Sequence, residues 1–185
     1  MARDRDFAAT LANYVGQADF AASLNSSGKL PSTQLPSGTV VQVVYVNVTG
    51  FTTTNGTITG NNDPITDAMG SSFGLSVTMK PTLATNKVYV LSDLYGSSEG
   101  GHFFWGLFLA ASSSAVIAGG VQVTEANALR HASFIWQATT VSAASTTYAL
   151  RIAGQAGVTT LNGQVGAGRF NNSMITSLLV CEVQN

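Results

Sequence analysis

The stretch at residues 37–48, SGTVVQVVYVNV, marks a change in the character of the chain. Before it lies a polar, alanine-rich segment with helical spacing, and after it come short apolar segments separated by Gly, Ser, Thr and Asn. Alternate side chains of a strand point to opposite faces, and here both faces are apolar. The two faces hold Val40, Gln42, Val44, Val46 and Val48, and Thr39, Val41, Val43 and Tyr45. Such a strand needs a covering layer on each side.

The composition limits the classes of protein to which the chain can belong. Charged residues make up only 9% of its 185 residues, against about 25% in ordinary soluble domains. The net charge of -1 provides no basic patch for nucleic acid. No apolar run is long enough to suggest insertion into a membrane, and no secretory signal is expected. The pattern is more typical of an assembled β protein than of a free cytosolic enzyme.

Residues 1–36 are predicted to form an anchoring arm of short helices followed by an extended segment. Asp4 and Asp19 are candidate helix N-caps, while Pro31 and Pro36 favour extended conformations in the residues before them. Helices this short need a surface on which to dock, and the alternative is a frayed tail. The apolar residues expected to contact this docking surface or a neighbouring subunit are Phe7, Leu11, Tyr14, Phe20, Leu24, Leu30 and Leu35.

Residues 37–185 are predicted to form one all-β head domain. Hydrophobic periodicity of two recurs between turn-rich stretches, without helical segments between them. This pattern predicts an antiparallel two-sheet sandwich, with jelly-roll connectivity as the leading arrangement. The predicted strands are 39–48, 73–80, 86–94, 102–111, 115–123, 129–140, 146–153 and 174–183, with a short strand at 158–161.

Segment 102–111, HFFWGLFLAA, is apolar on both faces. In an isolated sandwich one face of such a strand would be exposed, and soluble monomers avoid large exposed apolar patches. Contact between subunits is the simplest solution, so a homo-oligomer is expected. The predicted interface residues are Val41, Val43, Tyr45, Phe103, Trp105 and Leu107.

The chain offers few residues for catalysis or for cofactor and metal binding. It has no phosphate-binding loop, nucleophile elbow or zinc-binding motif. His102 and His131 lack partners at a recognisable spacing, and Cys181 lies in an apolar run where a buried, unreactive thiol is expected. Asp63 and Asp67 offer a calcium ion two carboxylates, but turn-forming and capping roles fit them better. We therefore predict no catalytic residue, no cofactor and no metal.

A loop that binds a ligand is the remaining candidate site. Loops on a rigid sandwich commonly carry binding residues, and the turn-rich segments 51–72 and 95–101 are long enough to do so. The candidate contact residues are Tyr95, Ser97 and Glu99.

The run TMKPTLATNKVYVLSDLYG at 78–96 resembles the signature of small β-sandwich domains in bacteriophage tail-fibre and head-fibre proteins. In that family a similar segment joins two strands. Further similar pieces lie at 130–136, 146–148, 158–161 and 177–183, so the resemblance covers about residues 36–185. It implies a trimeric protein of the virion surface without catalytic residues.

The short arm favours one role within that family. A tail fibre normally has a larger attachment module and a shaft, so we predict a trimeric capsid decoration, cement or head-fibre protein. It would assemble in the bacterial cytoplasm and bind the major capsid protein or another virion protein. The alternative is a short tail fibre that recognises a host cell-surface glycan. An enzyme acting on polysaccharide, and a non-viral lectin or tumour-necrosis-factor-like assembly, are the other readings of the chain.

Overall fold

Alternation of apolar and polar side chains organises the chain into strands from Val40 onwards. The computed structural model describes residues 26, 30–31, 34–58, 65–110, 112–122, 125–139 and 141–185. Within them the strands are β1 (Val40–Thr49), β2 (Thr52–Thr54), β3 (Ser76–Met79), β4 (Lys87–Ser98), β5 (His102–Leu109), β6 (Ile117–Gln122), β7 (Arg130–Gln137), β8 (Thr146–Gly154), β9 (Thr159–Leu161), β10 (Gly163–Gln164), β11 (Ala167–Gly168) and β12 (Ile175–Val183).

The strands form two packed antiparallel sheets and a small hairpin. The large sheet has the order β1-β12-β4-β9-β2, and β7 also pairs with β4. The small sheet has the order β3-β8-β5-β6, and β10 pairs with β11. The predicted all-β antiparallel sandwich is therefore confirmed.

The predicted strands are found close to their expected positions, with differences at their ends. Strand β3 begins at Ser76, because Phe73 has a positive φ of 49° and breaks the extended run. Strand β4 continues to Ser98, four residues beyond the predicted end at 94. The sequence pattern missed β2, β10 and β11, which have only two or three residues each.

The core between the sheets contains the side chains of β5 that were predicted to contact another subunit. Phe103 and Leu107 are fully buried and Trp105 is 7% exposed. The indole of Trp105 stacks on Phe134 of the large sheet, with ring centroids 4.2 Å apart. The prediction that Phe103, Trp105 and Leu107 form a subunit interface is therefore wrong.

The other face of β5 is covered by the same chain. Phe108 is only 4% exposed, and Ile65 and Ala115 lie beside the neighbouring Gly106. Backbone hydrogen bonds fix these two covering segments to each other, including Ala115 N to Ile65 O at 2.9 Å. A strand that is apolar on both faces thus finds both covering layers within one subunit.

The chain enters and leaves the sandwich at the same end. The Gly38 amide donates to the Gln184 carbonyl at 2.8 Å, just before β1 begins. The arm residues Phe7, Leu11, Tyr14, Phe20 and Leu24, and the helices predicted there, lie outside the described residues. Leu30 is exposed and Leu35 is half-buried. No helix in the described part of the chain is long and apolar enough to cross a membrane.

Candidate functional site

The outward face of the large sheet carries an exposed apolar row. Cross-strand pairing places Tyr45 of β1 beside Leu179 of β12, Leu179 beside Leu91 of β4, and Leu91 beside Ile135 of β7. Residues paired across strands point to the same face of a sheet. We call these four residues the apolar row. Tyr45 is 67% exposed and Ile135 is 69% exposed, so the ends of the row are open to solvent.

Two further rows flank the apolar row on the same face. The first contains Val43, Cys181, Tyr89 and Gln137, and the second contains Asn47, Ser177, Asp93 and Ser133. A shallow depression of about 620 Å³ is lined by the apolar Leu91, Leu179 and Ile135 and by the polar Asp93, Ser133 and Ser177. The face is accessible and carries an apolar row with a shallow depression, so it is the candidate contact surface of the described chain.

A β-bulge decides which β1 residues reach this face. The pairing of β1 with β12 shifts between Val40 and Gln42, and one extra residue in a strand reverses the faces beyond it. Val40 is therefore exposed together with Val43 and Tyr45, while Val41 is half-buried. The predicted interface residues Val43 and Tyr45 lie on the exposed face, and Val41 lies in the bulge.

The thiol of Cys181 also differs from its predicted environment. Cys181 is half-buried on the outward face, rather than in the core, and pairs across the strands with Val43. Burial, and then the nearby carboxylate of Glu182, raise the pKa of the thiol. The thiolate is therefore disfavoured.

A small polar cluster adjoins the depression. The His131 imidazole pairs through Nε2 with the Asp93 carboxylate, and the Tyr95 ring stacks on His131 at 4.6 Å. Partial burial, together with the negative charge of Asp93, raises the pKa of the Tyr95 hydroxyl. Both members of this hydrogen-bonded pair are about half exposed, so the contact contributes less than about 1 kcal/mol to stability. The contact gives Asp93, the one acidic side chain of the three rows, a partner within the same chain.

The predicted ligand loop at Tyr95, Ser97 and Glu99 is mostly a strand. Tyr95 and Ser97 belong to β4, which pairs beyond the end of β7 with β9. Ser97 is 1% exposed, and its hydroxyl accepts a hydrogen bond from the Val165 amide. The Glu99 carboxylate is exposed and accepts a hydrogen bond from the Val158 amide at 2.8 Å. Tyr95 and Ser97 are therefore strand residues rather than loop residues, and the burial of Ser97 excludes it from a ligand contact. The half-buried Tyr95 stays a prediction as a contact residue, and Glu99 stabilises a turn.

An apolar tip that sequence reasoning missed lies at the end of the sandwich opposite Gly38. We define the tip as Phe51, Val165 and Phe170, which are 45%, 55% and 71% exposed. Phe51 lies against the β10–β11 hairpin, within 3.1 Å of the Cβ position at Gly163. Phe170 begins a run of three residues with positive φ, together with Asn171 and Asn172. The Asn pair is the signal that the sequence contained, because asparagine is enriched in the left-handed region.

Glu182 forms a second feature that was not predicted, a fully buried carboxylate. It accepts hydrogen bonds from Asn86 Nδ2 at 2.6 Å, from Gln42 Nε2 at 2.6 Å, and from the amide and hydroxyl of Thr82 at 2.8 Å. Burial alone would raise the pKa of Glu182, but the donors outweigh it and the pKa lies below its usual value. A carboxylate with this many donors is structural, and it fixes the 80–86 connection to β1 and β12.

Of the two aspartates that were weighed as calcium ligands and assigned to turn and capping roles, only Asp67 lies in the described part of the chain. Asp63 lies outside the described residues, and Asp67 donates its backbone amide to the Ser113 carbonyl at 3.1 Å. Within the residues that the structure describes, no group of three or more His, Cys, Asp and Glu side chains could hold a metal ion. His102 stacks on Phe104, with ring centroids 5.5 Å apart.

Comparison with models of protein families gives no match to this chain, and comparison with curated proteins gives none either. The functional assignment therefore depends on the chain's own residues and on the surfaces described above.

Proposed function

We propose that the chain is a structural protein of the bacteriophage virion surface. In this proposal it is a homotrimeric capsid decoration, cement or head-fibre protein, attached to the shell by residues 1–36 and without a catalytic step. The observation that carries the proposal is the apolar row, because Tyr45 and Ile135 are 67% and 69% exposed in the single chain. A face of this kind on a charge-poor protein is typical of a surface that a neighbouring molecule covers.

The arm and the tip lie at opposite ends of the sandwich, which supports a position between a shell and the outside. The arm enters β1 beside the C-terminal end of β12, and the tip lies beyond the far ends of the same strands. Ten-residue strands such as β1 extend about 33 Å. One end of the domain is therefore free for attachment and the other for display.

The resemblance of 78–96 to fibre-domain segments supports the viral assignment. In this chain, Thr82 and Asn86 of that segment hydrogen-bond to Glu182 near the C-terminus. The segment thus joins two sheets at the end where the arm enters. The proposal also includes the jelly-roll connectivity and the helical arm, assembly in the bacterial cytoplasm and binding to the major capsid protein. It includes no cofactor, nucleic acid or membrane insertion.

Removal of residues 1–29 tests the anchoring role. We expect the shortened chain to stay folded and oligomeric, because the described strands and the core cluster lie within residues 40–183. It should no longer co-sediment with particles that lack the protein, whereas the full chain should saturate them. Full-length Phe170→Ser is the control, because the change lies at the opposite end and should leave particle binding intact. Equal binding by the shortened chain would contradict the proposal.

A short tail fibre that recognises a host glycan is the second candidate, and the tip favours it. Residues with positive φ cost energy and concentrate at functional sites, and here three occur in succession beside the exposed Phe170 ring. In the same region Arg169 Nε donates a hydrogen bond to Gln164 Oε1 at 3.0 Å. These two side chains add polar groups suited to sugar hydroxyls. This candidate predicts that the free protein adsorbs to host cells and blocks infection, and that Phe170→Ser abolishes both effects.

A further inference from the structure

The dimensions of the outward face limit how copies of the chain can meet. The apolar row crosses four neighbouring strands, and strands about 4.8 Å apart give a width of about 19 Å. If three such faces formed the sides of an equilateral triangular prism, a side of about 19 Å would place the middle of each face about 5.5 Å from the central axis. Packed sheets are about 10 Å apart, so each sheet contributes a side-chain layer of about 5 Å. Three faces of this width would therefore pack around an axis without a channel.

The two ends of the row are suited to meet each other. Tyr45 lies on β1 and Ile135 lies on β7, and each of these strands pairs with only one other strand in the described part of the chain. Cyclic symmetry with three copies requires two different surfaces in contact. In the prism, the β1 side of one face meets the β7 side of the next. The two exposed large side chains of the row are therefore placed at the contacts.

The charges of the face favour a second copy as its occupant. Among the side chains of the three rows, Asp93 is the one acidic group, and His131 of the same chain pairs with it. Copies of the face can therefore approach one another without an unpaired acidic group at the centre, which would be costly to bury. A separate basic partner would find only the Asp93 carboxylate, which His131 already contacts, and an acidic partner would find no basic side chain in these rows.

On these grounds we infer that the outward faces of three copies surround a three-fold axis, with Tyr45 of each copy contacting Ile135 of the next. Leu91 and Leu179 then face the axis, and the depression beside Ile135 receives the neighbouring Tyr45 ring. The three chains run parallel, so all arms leave the trimer at one end. This inference rests on the proposed homotrimer and specifies the surface that forms it.

Charge insertion in the full-length protein tests the surface. Sedimentation equilibrium of the unmodified chain should give three times the chain mass of 19.1 kDa. Tyr45→Lys and Ile135→Lys should each shift the protein to the monomer and raise the dissociation constant at least about 100-fold, because each change affects all three contacts. Phe170→Lys is the matched control, since this side chain is equally exposed but lies at the tip. Far-UV circular dichroism checks that every variant is folded.

Cross-linking distinguishes the prism from other arrangements. In a Cys181→Ser background, the double variant Tyr45→Cys with Ile135→Cys should form covalent trimers on oxidation, and each single variant should stay uncross-linked. Covalent dimers from Tyr45→Cys alone would overturn the inference, since they indicate a two-fold contact.

The outcomes separate this inference from the proposed function. Trimers that persist in both lysine variants would overturn the prism but leave the homotrimer standing. A monomeric unmodified protein would overturn both the prism and the homotrimer. Lysine variants that remain trimeric but lose particle binding would assign the face to another virion protein and overturn the inference. Particle binding by the arm is measured separately, so its failure leaves the prism intact.

Discussion

Replacing Glu182 tests how the buried carboxylate stabilises the sandwich. Glu182→Ala leaves the donors of Gln42, Thr82 and Asn86 buried without an acceptor. Removing one partner from a buried charged network costs about 3–5 kcal/mol, and we expect about 4 kcal/mol here. Glu182→Gln keeps the shape and one acceptor oxygen, and hydrogen bonds to a neutral group are weaker. We expect it to cost about 1–2 kcal/mol.

The assay is urea unfolding at a fixed protein concentration, because the stability of the proposed homotrimer would depend on concentration. Glu99→Gln is the control, since the Glu99 carboxylate is exposed and accepts one hydrogen bond from the Val158 amide. The Glu99→Gln substitution should change the free energy of unfolding by less than about 1 kcal/mol. A Glu182→Ala variant within about 1 kcal/mol of the unmodified protein would refute the reasoning.

The same carboxylate has a defined pH dependence. The folded pKa of Glu182 lies below its usual value, so its stabilisation is complete above the unfolded pKa of about 4.3. This stabilisation is lost as the pH falls from there through the folded pKa. The stability difference between the unmodified protein and Glu182→Gln should therefore shrink on acidification below about pH 4. A difference that stays constant from pH 7 to pH 3 would contradict the assignment.

Two further predictions concern glycine and the left-handed region. Gly96→Ala should lower the free energy of unfolding by about 1–3 kcal/mol, because a Cβ there would lie 2.5 Å from the Phe103 ring and 2.6 Å from the Thr160 carbonyl. An unchanged urea midpoint would show that the core relaxes around the methyl group. Phe170→Gly should raise stability by about 0.5–1 kcal/mol, because φ at Phe170 is 49° and its ring is largely exposed. A lower thermal midpoint would mean that the ring makes contacts that outweigh the backbone cost.

Local alternation was sufficient to predict most strands of the sandwich. The pattern Val77 and Met79, with the polar Ser76 and Thr78 alternating with them, requires one buried face whatever the rest of the chain does. Segment 102–111 shows the limit of this reasoning. Its apolar faces were correctly read as needing cover, but the cover came from Ile65 and Ala115 of the same chain. A pattern of hydrophobicity shows that a face is buried without showing which segment buries it.

The contact surfaces could not be predicted from local sequence patterns, because they are formed by residues far apart in the chain. Tyr45 and Ile135 share a row only through the register of three successive strand pairs. The donors to Glu182 lie 96 to 140 residues away in the chain. The bulge at Val40 and Gln42 reversed the faces of β1 at its start. Each of these features follows from long-range pairing, which a reading of periodicity cannot supply.

The hairpin turn at Val165 and Gly166 has a consequence for engineering. Both residues have positive φ in a two-residue turn, and a Cβ added at Gly166 would meet nothing within 4 Å. Such turns accept inserted peptides readily. A peptide inserted there would extend from the end opposite Gly38, whereas a domain fused after Asn185 would begin close to Gly38, at the end to which we assign attachment in our proposal. The turn is therefore the better position for presenting an antigen or an affinity tag.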